Sequence, residues 1–121
     1  MQKKLSARML AEPIYELKDY IAPGVSALNN RTWGIAIRSA IGIDNEAFLK
    51  PKTITIKISK EINSINTLFL EELFENVVQN IGVDAFRKKF RIEGEGQYTE
   101  DKIKFYLDQA LERIGKYATA D

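Results

Sequence analysis

One stretch of the chain, residues 53–80, changes from the period of a strand to the period of a helix within a few residues. Residues 53–58 read TITIKI, in which polar and β-branched apolar residues alternate as in a half-buried strand. A polar run follows, and apolar residues then recur at helical spacing from Leu70 until Gly82. A polar helix start directly after a buried strand is typical of α/β folds, where ligands and partners meet the sheet at its strand ends.

The rest of the chain alternates between the same two periods. In chain order the sequence first predicts a strand at 14–21, and then a helix capped by Asn29–Asn30 and ended by Gly42. The strand at 53–58 is followed by a helix at 67–81 capped by Asn66 and by a short helix capped by Asp84. A strand near 89–93 and a helix from Thr99 to Gly115 complete the order. This order predicts an α/β fold with a small, mainly parallel sheet of three to four strands and about four helices packed on it.

The chain of 121 residues is expected to form a single domain over 1–121, with residues 1–12 and 117–121 frayed. Gly34 lies inside the first predicted helix, where glycine costs about 1 kcal/mol relative to alanine. Such a glycine usually has a packing reason, so we expect the helix to approach a sheet or another chain closely at this point.

The sequence contains no histidine and no cysteine. The first absence removes the most frequent general base and metal ligand, and the second excludes disulfides and thiolate metal sites. We therefore expect a protein that is not an enzyme, with no catalytic residue, cofactor or metal. The lack of cysteine fits a reducing cytoplasm, and no apolar run approaches the roughly 18 residues of a membrane span. The basic N-terminus has no apolar segment after it, so no signal peptide is expected.

A net charge of +1 gives no overall field that would attract nucleic acid or a membrane. Residues 1–60 are net basic and residues 61–121 net acidic, which predicts two differently charged faces. The basic run from Arg87 to Arg91 includes Phe90, as some nucleic-acid sites do. We interpret it as a solvated helix end that leads into a strand, and a nucleic-acid role is the lesser alternative.

A glycine-containing turn, Gly94-Glu95-Gly96, precedes the last predicted helix. It lacks the full patterns of the dinucleotide and phosphate loops, and the acidic residues beside it would repel phosphate. We interpret it as a turn. The carboxylates of this half of the chain are interpreted as mostly solvated, because no loop motif spaces them for Mg²⁺ or Ca²⁺. They are Glu71, Glu72, Glu75, Glu93, Glu95, Glu100 and Asp101.

The polar turn at 59–67 is the best candidate for a functional surface. Its simplest interpretation is a turn followed by a helix cap. The alternative is a recognition or phosphorylation loop, because the free N–H groups and the dipole of a helix start favour anionic groups.

The residues that follow this turn resemble the STAS-like domains of unknown function. The stretch from Ile65 to Leu73, INTLFLEEL, is similar to the isoleucine, serines and Phe-Leu-Asp-Glu-Leu of that family, and the stretch VVQNIGVDAFRKKF that ends at Phe90 is similar to its helix end and short amphipathic helix. Leu28-Asn29-Asn30-Arg31, followed by Gly34 and Arg38, resembles its first helix. The resemblance covers about residues 14–114.

The resemblance implies a relative of the anti-sigma-factor antagonists, which are regulatory domains that bind a protein through the loop and helix start after a central strand. In the antagonists a serine at that helix start is phosphorylated by a partner kinase, and binding is lost. The matching position here is Leu68, with Thr67 as the adjacent hydroxyl, so Thr67 is the possible phosphosite and Ser64 a lesser one. The Asp-Ser-Ser-Gly pattern of the antagonists is missing, which places a switch of their type in question.

The leading hypothesis is therefore a non-enzymatic, cytoplasmic regulatory or signalling domain. Its partner would be a kinase-like ATPase, another signalling protein or a second copy of the chain. The expected partner-binding residues are Ser59, Asn63, Ser64, Asn66, Thr67 and Glu71, with a possible contribution from the Asn30–Arg38 helix. The alternative is a small-ligand or nucleotide-binding domain that uses the strand ends near Ser59 and Asn63 and the Gly94–Gly96 loop.

Overall fold

The computed structural model describes residues 12–119. The helices are α1 (Arg31–Ile41), α2 (Thr67–Ile81), α3 (Val83–Lys89) and α4 (Gln97–Thr119). The strands are β1 (Ile14–Glu16), β2 (Ala27–Leu28), β3 (Ile54–Ile58), β4 (Ser64–Ile65) and β5 (Phe90–Gly94). Short 3₁₀ helices occupy Leu17–Tyr20 and Glu46–Leu49. The predicted alternation of strands and helices is confirmed, with the two-residue strands β2 and β4 as additions.

The main sheet has three parallel strands in the order β1-β3-β5, and β2 and β4 form a separate parallel pair. Strand β3 lies in the centre because it carries the most buried sequence. Ile54, Ile56 and Ile58 are all fully buried. The α/β class with a parallel sheet and packed helices is thus confirmed.

The two faces of the sheet differ in chemistry. The face with Ile54 and Phe90 lies under the helices, since the Phe90 ring is 4.7 Å from that of Phe86 on α3 and 5.8 Å from that of Phe74 on α2. On the other face the polar and charged residues of the three strands lie in register, together with the exposed Ile14. They form the rows Ile14, Thr55, Arg91 and Glu16, Lys57, Glu93.

Helix α2 packs against both α1 and α4 and is the central helix of its layer. Gly34 is the point of closest approach between α1 and α2. A Cβ atom at Gly34 would lie 2.7 Å from Cβ of Glu72 and 2.8 Å from the carbonyl oxygen of Phe69. The close approach predicted for this glycine is confirmed, and the neighbour is a helix of the same chain.

The capping residues of α1 and α2 are confirmed. The side chain of Asn30 accepts a hydrogen bond from the Trp33 N–H, and that of Asn66 accepts one from the Phe69 N–H, at 3.0 and 3.1 Å. Gly42 ends α1 with a φ of 80°, in the left-handed region that glycine adopts without strain.

Two predicted boundaries before α4 are wrong. The first strand ends at Glu16, because Leu17 turns into the core and starts a 3₁₀ helix. Asp84 lies in the first turn of α3 and makes no capping hydrogen bond, since Gly82 occupies the cap position.

Helix α4 is longer at both ends than the sequence predicts. It begins at Gln97, because Gly96 with a φ of 89° turns the chain before the expected Thr99 cap. Thr99 instead packs over Gly94. The helix also continues through Gly115, whose Cβ position lies 3.7 Å from Val83, so this glycine lies where α4 passes α3. The expected frayed segment 117–121 is therefore helical as far as residue 119, and the expectation for residues 1–11 lies outside the described residues.

Candidate functional site

The loop at 59–67 is anchored by backbone hydrogen bonds to the chain before α1. The N–H groups of Asn63 and Ser64 both donate to the carbonyl oxygen of Ser26, at 2.9 and 3.2 Å. The Asn66 side chain also donates to the Asn29 carbonyl at 2.9 Å, and the Asn29 amide donates to the Ser64 hydroxyl at 3.2 Å. The two predicted cap residues therefore lie side by side, and the loop has a defined position at the start of α2.

Two of the predicted partner-binding residues require correction, because they are buried. Ser59 is 1% exposed and Glu71 is 2% exposed. The Ser59 hydroxyl accepts a hydrogen bond from the Glu61 N–H at 3.2 Å and so shapes the turn. Neither side chain is accessible to a partner, whereas Asn63 is exposed and Ser64, Asn66 and Thr67 are half-buried.

The carboxylate of Glu71 lies between two arginines from the flanking helices. Arg31 on α1 donates to one oxygen at 2.7 Å, and Arg113 on α4 donates to the other. The neighbouring Glu72 pairs with Arg31 at 3.2 Å and with Arg38 at 3.4 Å. This ion-pair cluster links α2 to both neighbouring helices.

The environment of Glu71 keeps it ionised. Burial raises the pKa of its carboxyl, but the hydrogen bonds from Arg113 and Arg31 outweigh burial, and the net pKa is lower than usual. The hydrogen bond to Glu71 likewise raises the pKa of Arg31. Both arginine side chains remain 44% exposed, so they present positive charge at the surface while Glu71 holds them in place.

Thr67 lies at the first position of α2 and faces α4. Its hydroxyl donates to the side-chain oxygen of Gln109 at 2.7 Å. Together with Leu68, Glu112 and Arg113, these two residues line a cavity of about 330 Å³. The sequence predicted Thr67 for this surface but gave no sign of the α4 residues that complete it.

Two large apolar side chains, one on each helix, are exposed near the Thr67–Gln109 contact in sequence: Leu68 follows Thr67 on α2, and Phe105 lies on α4. Leu68 is 38% exposed and Phe105 is 58% exposed. Phe105 precedes Gln109 by one helical turn, so both side chains lie on the same side of α4. Exposed large apolar residues in one area are a feature of interaction surfaces.

A second cavity, of about 240 Å³, is lined by residues of the 59–67 loop and of α4. Its floor is apolar, from Ile62 and Ile65, which are buried. Its polar lining comes from Lys60, Asn63, Thr99 and Lys102. The Lys102 ammonium donates to the Asn63 carbonyl at 3.3 Å, which ties α4 to the loop.

The Gly94–Gly96 turn borders a different and acidic cavity of about 160 Å³. Its lining combines Lys57, Ser59 and Gly94 with the carboxylates of Glu16, Glu93, Glu95 and Glu100. Glu95 accepts a hydrogen bond from the Lys60 N–H at 3.1 Å, and this bond and one from Ser59 hold its pKa below the usual range. The Glu95 carboxylate thus accepts the hydrogen bond from a backbone N–H group that could otherwise donate to a phosphate in this loop. The structure separates Asn63, on a basic cavity, from Ser59 and Gly94, on an acidic one.

The basic run 87–91 is largely engaged within the protein. Arg87 pairs with Asp108 at 3.0 Å, and the Lys89 ammonium donates to the carbonyl oxygens of Leu49 and Pro51 at 2.9 and 2.6 Å. Helix α3 ends at Lys89 and β5 starts at the next residue, as the interpretation of a helix end leading into a strand requires.

Within residues 12–119, no group of three or more acidic side chains converges as a metal site would. No helix in the same part of the chain has the length and apolar character needed to cross a membrane.

Comparison of the chain with models of known protein families, with curated proteins and with solved structures finds no match in any of the three. The resemblance to the STAS-like domains therefore stays a prediction.

Proposed function

We propose that the protein is a non-enzymatic regulatory domain that binds a protein partner through the surface formed by the 59–67 loop, the start of α2 and the outward side of α4. One observation carries this proposal: the Thr67–Gln109 hydrogen bond joins α2 to α4 next to two exposed apolar residues, Leu68 directly after Thr67 and Phe105 one helical turn before Gln109. We refer to Thr67, Leu68, Phe105, Gln109 and Arg113 as the α2–α4 surface.

The composition of the α2–α4 surface supports the proposal. Binding sites for proteins combine a few large apolar anchors with a polar rim, and arginine is enriched among the residues that contribute most. Leu68 and Phe105 would be the anchors, and Arg113, positioned by the buried Glu71, would be a fixed cation of the rim. Because Arg113 is already held, its ordering on binding costs little side-chain entropy.

The nature of the partner follows from the resemblance alone. A kinase-like ATPase or another signalling protein of the cytoplasm is the partner that a relative of the anti-sigma-factor antagonists would bind. Phosphorylation of Thr67 would add negative charge at the start of α2 and remove the hydroxyl proton that Gln109 accepts. We retain Thr67 as the possible phosphosite of this proposal.

The test is capture of the partner by surface variants of the full chain. Leu68→Arg and Phe105→Arg each place a charge where an apolar anchor is expected, and both positions are exposed, so folding should be unaffected. We expect each variant to lose the protein that the wild-type chain captures, identified by mass spectrometry. Ile14→Arg is the matched control, because Ile14 is 59% exposed on β1, which belongs to none of the elements of the proposed surface. Capture that survives both substitutions, with circular dichroism unchanged, would exclude this surface.

The cavity with Lys60 and Lys102 favours a second candidate function, the binding of a small anion such as a carboxylate or phosphate. Two lysines, an asparagine and a threonine line this small space together with two buried isoleucines. A ligand bound only by the folded state stabilises it by about 2.7 kcal/mol at a hundred times its Kd.

A thermal-shift panel tests this candidate with inorganic phosphate, dicarboxylates and nucleotides. We expect a rise in Tm that is lost in Lys60→Ala and Lys102→Ala but kept in Lys88→Ala, at an exposed lysine on α3. The absence of any shift at millimolar concentrations would remove the candidate and leave the α2–α4 surface unaffected.

A further inference from the structure

Strand β5 forms one edge of the main sheet. It pairs with β3 along one side, and no other strand within residues 12–119 pairs with its outer side. The opposite edge, β1, has only three residues and follows Pro13, which has no N–H to donate. Short strands and prolines are devices that prevent pairing at an edge. Strand β5 has five residues and no proline, so it is the edge that is open to another strand.

The side chains of β5 alternate between two environments. Phe90 and Ile92 point to the helices, and Phe90 is 5% exposed. Arg91 and Glu93 point to the opposite face of the sheet, where Arg91 is exposed and Glu93 is half-buried. The strand thus has a cation and an anion placed symmetrically about Ile92.

This symmetry decides which strand fits the edge. We propose that β5 pairs antiparallel with β5 of a second copy, about a two-fold axis through Ile92, so that two three-stranded sheets become one of six strands. Arg91 of each copy then lies opposite Glu93 of the other, and the two Ile92 residues face each other. Opposite charges directly across a strand pair stabilise it, and like charges destabilise it.

The same charges disfavour other registers. A shift of the pairing by two residues in one direction places Arg91 opposite Arg91 of the second copy, and a shift in the other direction places Glu93 opposite Glu93. A shift by one residue would put the helix-facing side chains of one copy on the same face of the sheet as the outward-facing side chains of the other. Charged residues on an edge usually prevent association because equal charges meet. In β5 the opposite charges of Arg91 and Glu93 instead favour a single register of self-pairing.

The helix side of the edge adds apolar area to the proposed interface. A cavity of about 300 Å³ lies beside β5, between α3 and α4, with Phe86, Phe90, Ile92 and Leu107 in its lining. Arg87, Glu100, Lys104 and Asp108 surround it, so its rim carries both signs of charge. Ile92 is only half-buried in the single chain, and the second copy would cover it.

Charge reversal tests the proposal by sedimentation of the full chain over a range of concentrations. We expect a reversible dimer for the wild type, and dissociation constants raised about tenfold or more by Arg91→Glu and by Glu93→Arg, because each creates two like-charge pairs. The variant with both reversals should dimerise again. Lys88→Glu has the same charge change as Arg91→Glu at an exposed position on α3 and should leave the dimer unchanged.

Mixing the two single variants gives the most specific result. One chain then has glutamate at both positions and the other has arginine at both, so the mixture should form a heterodimer although each variant alone is monomeric. A monomeric wild type at all concentrations, or a mixture that stays monomeric, would overturn the proposal.

A crosslink reports the same register without changing any charge. The chain has no cysteine, so Ile92→Cys introduces one thiol at the proposed axis. Residues directly opposite in an antiparallel pair have Cα atoms about 4.5–5.5 Å apart, within the range of a disulfide. We expect a covalent dimer on mild oxidation from Ile92→Cys and none from Lys88→Cys. Equal crosslinking of both variants, or none in either, would contradict the register even if the charge variants prove unstable.

Discussion

Glu71 shows how one residue acquires a role that its neighbours in sequence do not predict. By sequence it is an acidic residue in the first turns of a helix, where carboxylates suit the dipole. In the structure it is buried, and each oxygen accepts a hydrogen bond from an arginine of a different helix. Its function is to position Arg31 and Arg113, whose charged ends remain partly exposed.

We expect Glu71→Gln to lower the free energy of unfolding at pH 7 by about 2 kcal/mol, the scale of hydrogen bonds to charged groups. The cost stays below that of a fully buried pair because both arginines can be solvated when the carboxylate is lost. Glu75→Gln, on the same helix but outside the ion-pair cluster, should change stability by less than about 0.5 kcal/mol. Urea unfolding measures both values, and an equal effect of the two substitutions would contradict this account.

The lowered pKa of Glu71 also predicts a dependence of stability on pH. As pH falls, the unfolded chain binds the proton first, near the ordinary glutamate pKa of 4.5. The stabilisation by Glu71 is therefore complete above this value and is lost as pH falls through it towards the folded-state pKa. We expect the stability of Glu71→Gln to decline less steeply below about pH 5 than that of the wild type. Parallel pH profiles would show that Glu71 is not the responsible group.

At the scale of elements, two glycines lie where one helix passes another, and sequence reasoning assigns them different roles: Gly34 as a point of close packing and Gly115 as a helix end. Gly34 lies against α2, where its Cβ position is 2.7 Å from a side-chain atom of Glu72. Gly115 lies inside α4 in ordinary contact distance of Val83, at 3.7 Å. Packing at Gly34 leaves no room for a side chain. Packing at Gly115 has room for a methyl group.

These two positions predict opposite effects of the same substitution. Gly34→Ala should destabilise the protein by about 1–3 kcal/mol, because α1 and α2 must move apart. Gly115→Ala should be neutral or stabilising by up to about 1 kcal/mol, because alanine has the better helix propensity and its methyl group fits. Chemical unfolding of both variants tests the pair, and stabilisation of similar size at both would show that propensity, not close approach, is the dominant effect.

At the scale of the whole molecule, all described elements share one buried core. The core takes residues from both sheets, all four helices and the two 3₁₀ helices. The ring of Phe90, for example, contacts rings from two helices and from the connector before β3. No described element therefore has a core of its own that would allow it to unfold separately.

We expect thermal unfolding to be a single cooperative transition. Trp33 is the only tryptophan and packs against the core from α1, so its fluorescence reports on that helix, whereas far-UV circular dichroism reports on all helices. The two signals should have the same midpoint. A fluorescence transition at clearly lower temperature would show that α1 and its arginines leave α2 before the core unfolds, contrary to the shared-core account.

The candidate site was only partly predictable. The polar residues after β3 and the Asn66 cap are visible in the sequence because caps and turns are local chemistry. Gln109, Arg113 and Phe105 are not, because they lie more than thirty residues further along the chain and come to Thr67 only through the packing of α4 on α2. The outward side of α4 looks like any solvated helix face when it is considered alone.

The sequence by itself determined the order of the main elements, the cap and start of α2, the presence of the TITIKI strand and the close approach at Gly34. Each of these follows from periodicity or backbone sterics within a few residues. Only the tertiary structure decided that Glu71 is buried between two arginines, that α4 continues through Gly115, and that β5 lies at an edge. The reason is physical. Burial, pairing and exposure depend on which distant segment covers a residue, and the local sequence around that residue does not specify the segment.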